Sequence, residues 1–317
     1  MNEEGDYRRW DELIPDALGL IFTNLSLQEI LTVVSRVCKS WNRAVSGPYC
    51  WQEINADEWS CRSQPEKLDR MLRLLVTRSS GSLRKLNVSC LYSESFFSFL
   101  AEHSGSLQTL RIPRSEISDP IMEKFSARLS TVTFLDVSYC CKIGAPALEA
   151  IGRNCRFLWG LCRNMHPLDS ACRITQDEEA YAIATTMPKL KHLEMAYHVI
   201  SSDSVLTILA GCPNLEFIDL RGCWHVKMED NFVRDRFPKV KILGPLVVGF
   251  YEQDEWDEDD DDDCSEFSDY LSWEFAGDLA DFDDDDDDIF DDEQRLQLRF
   301  YEPFEDAGML YGWPPSP

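Results

Sequence analysis

The chain holds 317 residues with 57 acidic and 31 basic side chains, a formal net charge of −26. A hydrophobic content of 44% is enough to build a core, which excludes a chain disordered throughout. The charge is concentrated: residues 251–317 carry 27 of the acidic groups against Arg295 and Arg299 alone, so residues 1–250 are close to neutral. Phosphate binding draws on a basic surface, and none exists here, so nucleic acid is not expected as a partner. No apolar run approaches the roughly 20 residues of a membrane span. The start, Met1-Asn2-Glu3-Glu4, is acidic where a secretory signal is basic and then apolar. The twelve cysteines are therefore expected to be reduced, in the nucleus or cytoplasm. Cys140, Cys141, Cys155, Cys162 and Cys172 invite zinc, but no CxxC pair occurs, and neither a metal nor another cofactor is expected.

The first predicted elements are two short helices. Pro15 suits a first helical turn, where its missing N–H costs nothing. Leu18, Ile21, Phe22 and Leu25 come next at 3-1-3 spacing along one side. Ser26 and Glu29 form a capping-box pair that starts the second helix, whose apolar residues are Ile30, Leu31, Val34, Val37, Cys38 and Trp41. So small a module cannot bury that much apolar surface by itself, and a partner or a neighbouring domain must cover the remainder.

Leu13-Ile14-Pro15, the Ile21-Phe22-x-x-Leu25 step and the closing Val37-Cys38-Lys39-Ser40-Trp41 resemble the F-box pattern. Ile14-Pro15 stands where that pattern has Leu-Pro, and the module runs over residues 10–50. The resemblance implies docking on a Skp-type adaptor, which bridges to a cullin and a RING protein that carries charged ubiquitin. The adaptor contacts it implies are Leu13, Ile14, Pro15, Leu18, Ile21, Leu25, Leu27, Val37, Cys38 and Trp41. Phe22 and Val34 read instead as internal core. Residues 51–81 are expected to form a helical linker and solenoid cap.

From residue 82 the chain is periodic. Leu83/Leu86, Leu107/Leu110, Val132/Leu135, Leu158/Leu161, Leu190/Leu193 and Leu215/Ile218 each pair two apolar residues three apart, with a partial copy at Val240/Leu243. A third falls two further on at Val88, Ile112, Val137, Met195 and Leu220. This is the L-x-x-L-x-L strand of a leucine-rich repeat, and the second half of each unit changes to helical spacing. Cys140 and Cys223 share one position of the unit, and Cys155 and Cys212 another, so these thiols read as core fillers stacked in columns. Repeat four is longer than the others, has Arg163 where the third apolar residue belongs, and places its extra residues between Asn164 and Glu178. The expected fold is α/β: a helical F-box, about seven repeats over 82–250 with parallel strands inside and helices outside, and a disordered acidic tail over 251–317.

The tail interleaves acid with aromatics such as Trp256, Phe267, Tyr270 and Trp273, a composition suited to solvated spacers or to docking segments. No phosphate-binding glycine loop, G-x-S-x-G or H-E-x-x-H pattern occurs, and no enzyme activity is expected. An F-box followed by cysteine-containing repeats and an acidic end is similar to plant F-box/leucine-rich-repeat proteins, whose role is to present a protein substrate for ubiquitination and degradation. The alternative is an acidic leucine-rich-repeat scaffold for basic proteins, which Leu13–Trp41 does not fit. Residues between the apolar positions of each strand line the inner face of the arc. Arg84, Arg111, Phe134, Trp159, His192 and Phe217 are the expected contacts to a protein substrate of unread identity.

Overall fold

The computed structural model describes residues 10–60, 63–103, 105–166, 175–227 and 236–245. The acidic segment 251–317 and most of the repeat-four insertion, residues 167–174, lie outside the described residues. Pro15 opens helix α1 (Pro15–Phe22), with Ile14 as N-cap in extended conformation. Ser26 then caps α2 (Leu27–Glu29): its Oγ accepts from the Glu29 N–H at 3.2 Å, and the Glu29 carboxylate accepts from the Ser26 N–H at 2.9 Å. The helix continues through a π-helical stretch (Ile30–Val34) into α3 (Ser35–Val37), and α4 (Lys39–Ser46) packs back against α1. Leu18, Phe22, Ile30, Leu31, Val34, Ala44 and Val45 fill the space between these helices.

Eight parallel strands form one sheet in chain order: β1 (Glu53–Asn55), β2 (Lys85–Asn87), β3 (Thr109–Arg111), β4 (Phe134–Asp136), β5 (Gly160–Cys162), β6 (His192–Glu194), β7 (Phe217–Asp219) and β8 (Lys241–Leu243). Ile54, Leu86, Leu110, Leu135, Leu161, Leu193, Ile218 and Ile242 are direct cross-strand partners. That row is the spine of the core, and removing one of its leucines to alanine costs about 2–5 kcal/mol. Between strands run α5 (Asp57–Ser60), α6 (Pro65–Arg78), α7 (Glu94–His103), α8 (Asp119–Ser126), α9 (Ala145–Asn154), α10 (Asp177–Thr186) and α11 (Ser202–Gly211). Each of these from α6 onward packs on the next in sequence, the stacking a solenoid requires.

Residues 51–81, expected to form a helical linker and solenoid cap, hold strand β1 ahead of helices α5 and α6. Trp51, Ile54 and Ala56 are all buried and repeat the L-x-x-L-x-L spacing, so the solenoid begins one unit early, directly from the F-box. The Trp51 indole N–H donates to the Val45 carbonyl at 2.7 Å, and one continuous core joins helices α1–α4 to the repeats.

The turns after β2, β3, β4, β6 and β7 use left-handed backbone at one fixed position. Cys90, Arg114, Tyr139, Tyr197 and Gly222, each seven residues past its repeat start, have φ between 55° and 73°. At Gly222 a side chain is also excluded by space, since an added Cβ would lie 2.2 Å from the Tyr197 ring.

The cysteine columns have a hydrogen-bonding reason. Cys140 donates to the Ile112 carbonyl (3.3 Å), Cys155 to Leu129 (3.1 Å), Cys212 to Met187 (3.5 Å) and Cys223 to Met195 (3.1 Å), each carbonyl belonging to the preceding repeat. A thiol fills the volume of a small apolar group and also satisfies a carbonyl that would otherwise be buried unpaired. Burial pushes all four thiols up to about 12, so they stay protonated.

Repeat four places a charge inside the core. Arg163 is fully buried; its Nε donates to Glu179 Oε2 at 3.1 Å and its Nη2 to the Ile143 carbonyl at 2.6 Å. His198 Nε2 lies 3.4 Å from the same Glu179 oxygen. The long aliphatic stem of Arg163 takes the space of the missing apolar residue, and α10 supplies the carboxylate that makes the charge tolerable.

Candidate functional site

Two surfaces stand out, one on the helical module and one on the strands. On the module, Ile14 is 66% exposed, Leu20 72%, Val33 56% and Val37 54%, values unusual for side chains of this size in a folded domain. Ile21 and Leu25 are also exposed, and Pro15 is half-buried at the end of α1. Ile14 and Ile21 lie seven residues apart and so share one side of α1, and Val33 and Val37 share one side of the next helix.

The sequence-expected adaptor contacts divide into four groups. Ile14, Pro15, Ile21 and Val37 present apolar surface. Leu13, Cys38 and Trp41 are half-buried, and Trp41 meets Phe22 edge-on at 5.0 Å while its indole N–H reaches the Trp10 carbonyl at 3.4 Å. Leu18 is a correction: it has no exposed surface, being sealed where α1 packs against α4. Leu25 and Leu27 line a cleft shared with strand residues Lys85, Arg111, Phe134 and Trp159, which sets them beside the concave face. Leu20 and Val33 are additions to the sequence reading. Their signal is present there, since each falls on the polar side of an otherwise amphipathic helix.

The second surface is the row of side chains at the first position of each strand. Phe134, Gly160, His192, Phe217 and Lys241 are successive cross-strand partners. The Trp159 ring lies 5.3 Å from that of Phe134, His192 lies 6.4 Å from Phe134, and His192 stacks on Phe217 at 4.7 Å with the planes 8° apart. The Arg111 guanidinium sits 4.9 Å over the Phe134 ring, and Lys241 Nζ sits 6.0 Å from that of Phe217. The result is a continuous aromatic band over four strands with a cation at each end. Gly160 is what allows it: an added Cβ there would lie 2.4 Å from the Phe134 ring, which occupies that space.

Of the residues expected to touch substrate, Trp159, Arg84 and Arg111 are exposed and His192 and Phe217 half-buried. Phe134 is a correction. At 8% exposure it is covered by Trp159 and Arg111 and forms the floor of the band. The cleft of about 530 Å³ at the F-box end of this face is lined by Thr23, Leu25, Leu27, Asn87, Arg111 and Trp159, among others.

Below the aromatic band runs an acidic one. Asp136, Glu194 and Asp219 occupy the third strand position, with Cys162 between the first two. Burial pushes the Asp136 carboxyl up. Burial also acts on Glu194, but hydrogen bonds from His192 (2.8 Å) and Asn164 (2.8 Å) outweigh it and hold that carboxyl below its usual range. Asp219 is neutralised by Arg221, whose Nη2 donates to it at 2.6 Å. Among the described residues no helix is long and apolar enough to cross a membrane.

Comparison with known proteins agrees with both halves of this geometry. Residues 8–57 match the F-box-like family and residues 128–152 the leucine-rich repeat. F-box protein FBW2 of Arabidopsis thaliana is 56% identical over 88% of this chain and 88% of its own length. F-box protein SKIP1 of the same plant is 35% identical over 73% of this chain and 83% of its own. Among solved structures, the complex of Rad7 and Elc1 in yeast shows a partial likeness, with a TM-score of 0.46 and 20% identity over 56% of this chain and 44% of that one. A capped helical module with an uncovered apolar face, running directly into eight parallel repeat strands, and relatives that share it over most of their length make this chain a member of the F-box/leucine-rich-repeat family, the non-catalytic components of Skp-cullin-F-box ubiquitin ligases.

Proposed function

We propose that this chain is the substrate receptor of such a ligase: it docks on a Skp-type adaptor, and through it a cullin and RING protein, by the Ile14, Pro15, Leu20, Ile21, Val33 and Val37 surface. It captures a protein substrate on the concave strand face. The observation that carries this reading is the aromatic band of Trp159, Phe134, His192 and Phe217 on the face opposite the helices. Rigid aromatics anchor protein interfaces because they bury large area at small entropic cost. The shared core around Trp51 adds a mechanical argument. A rigid joint between the two binding surfaces holds captured substrate at a set position relative to the charged ubiquitin, and such positioning is the receptor's contribution to transfer.

The test is a pair of variants in cells treated with a proteasome inhibitor. Trp159→Ala with Phe217→Ala is expected to lose ubiquitinated clients and keep the adaptor. Ile14→Ala with Pro15→Ala is expected to lose the adaptor while still co-purifying clients, now unmodified. Loss of both, or of neither, from each variant contradicts the division of labour.

A further inference from the structure

Cys162, His192 and Glu194 converge on the concave face. Cys162 and Glu194 are direct partners across β5 and β6, and His192 lies two residues before Glu194, hence on the same side of its strand. Cys162 Sγ, a His192 ring nitrogen and a Glu194 carboxylate oxygen all lie within 4.8 Å of one another. No other group of three such residues among those described is so arranged. We propose that this triad binds one divalent zinc ion per chain.

The ligand chemistry selects the metal. Thiolate, imidazole and carboxylate together suit zinc, whereas magnesium and calcium take oxygen donors throughout. Ligand bonds of about 2.0–2.3 Å at tetrahedral angles place donor atoms about 3.3–3.7 Å apart. His192 Nε2 and Glu194 Oε1, 2.8 Å apart in a hydrogen bond, exchange that bond for one bond each to the ion. Charge also closes: on binding, Cys162 gives its proton to solvent, the His192 proton resides on Nδ1, and thiolate plus carboxylate supply two negative charges to the ion's two positive ones.

The surroundings hold the ligands in place. Asn164 Nδ2 donates to Glu194 Oε2 at 2.8 Å, and Asn164 is itself fixed by the Ala196 N–H, which donates to its Oδ1 at 2.9 Å. The His192 ring is set by stacking on Phe217. Such outer contacts are what orient metal ligands in proteins that use them. Three protein ligands leave a tetrahedral ion one free position, for water or for a donor side chain of a docked protein. The triad escapes sequence inspection because Cys162 and His192 are separated by a whole repeat.

The experiment uses the full chain, stripped with a chelator and titrated with cobalt(II), a spectroscopic substitute for zinc. The acidic segment carries a thiol of its own, Cys264, so every protein in the series also carries Cys264→Ser, which leaves that segment oxygen donors only and no cobalt–thiolate charge-transfer absorption. The expected result is one equivalent of cobalt with that absorption, abolished by added zinc. Cys162→Ser is expected to remove the band, and His192→Gln and Glu194→Gln to weaken cobalt binding at least about tenfold. Cys141→Ser, at an exposed thiol away from the triad, is expected to change nothing. Circular dichroism of each variant checks the fold, and the half-exposed His192→Gln decides the matter should Cys162→Ser fail to fold. Absence of the band in the Cys264→Ser parent, or its full retention in Cys162→Ser or His192→Gln, overturns the proposal.

Discussion

Arg163 Nε donates to Glu179 Oε2 at 3.1 Å in the interior of the solenoid, with the Arg163 side chain wholly out of solvent and that of Glu179 nearly so. Removing one member of such a pair leaves an unpaired buried charge, which costs about 3–5 kcal/mol, while replacing both by apolar residues of similar size is close to neutral. Glu179→Ala is therefore expected to lower the denaturation midpoint strongly, and Arg163→Met with Glu179→Leu to recover most of the loss. Urea unfolding of the two variants measures this directly.

The same carboxylate makes stability depend on acid. Burial alone would push Glu179 up, but the Arg163 guanidinium and His198 outweigh it and hold it at about 2, against 4.5 for an ordinary glutamate. A group with a depressed folded-state value contributes stability that is full above the unfolded value and is lost as pH falls through the folded one. The loss is expected to set in below about pH 5 and to reach on the order of 3 kcal/mol by pH 2. Glu179→Gln should flatten that part of the stability profile, measured by denaturant unfolding from pH 6 to pH 2.

In the helical module, buried and exposed apolar residues should separate cleanly. Leu18→Ala opens a cavity between α1 and α4 and is expected to cost about 2–4 kcal/mol of stability. Leu20→Ala and Val33→Ala lose exposed side chains and should leave the melting temperature within a degree or two. They are expected to weaken adaptor binding, by titration calorimetry, by roughly 1–2 kcal/mol each.

The thiols should differ in reactivity by position. Cys140, Cys155, Cys212 and Cys223 are buried, hydrogen-bonded to carbonyls and held protonated, so an alkylating reagent at neutral pH should spare them in the native state. Cys141 is exposed and should react faster than any of these four. Mass spectrometry of the alkylated protein, before and after unfolding, gives both rates.

Much of this architecture is legible in the sequence because it rests on repetition. The apolar spacing from Leu83 to Leu215 locates six strands, and Ser26 with Glu29 locates a helix start, since each depends on residues close in sequence. Strand β1 is hard to see because Ala56 is a weak apolar signal and Trp51 stands 32 residues before Leu83, although repeat four shows the same 32-residue interval. Arg163 reads as a break in the pattern, and only its contact with Glu179 on α10 explains it. Adaptor-facing and core positions of α1 cannot be separated by period alone. Leu18 and Ile21 lie three apart, yet one is sealed by α4 and the other open. Phe134 reads as a surface residue by alternation, and its burial depends on Trp159, Gly160 and Arg111 from neighbouring strands.

The proposed function has one body, joined by a continuous core, carry two independent binding surfaces. Its most direct test is reconstituted ubiquitination of a captured client by the complete ligase, with adaptor affinity determined in parallel for Trp159→Ala/Phe217→Ala. Adaptor affinity is expected to be unchanged within experimental error while client ubiquitination falls at least about tenfold, the loss expected when interface anchors are truncated. Ubiquitination of the client at the wild-type rate by this variant would contradict the assignment of the concave aromatic band as the recognition surface.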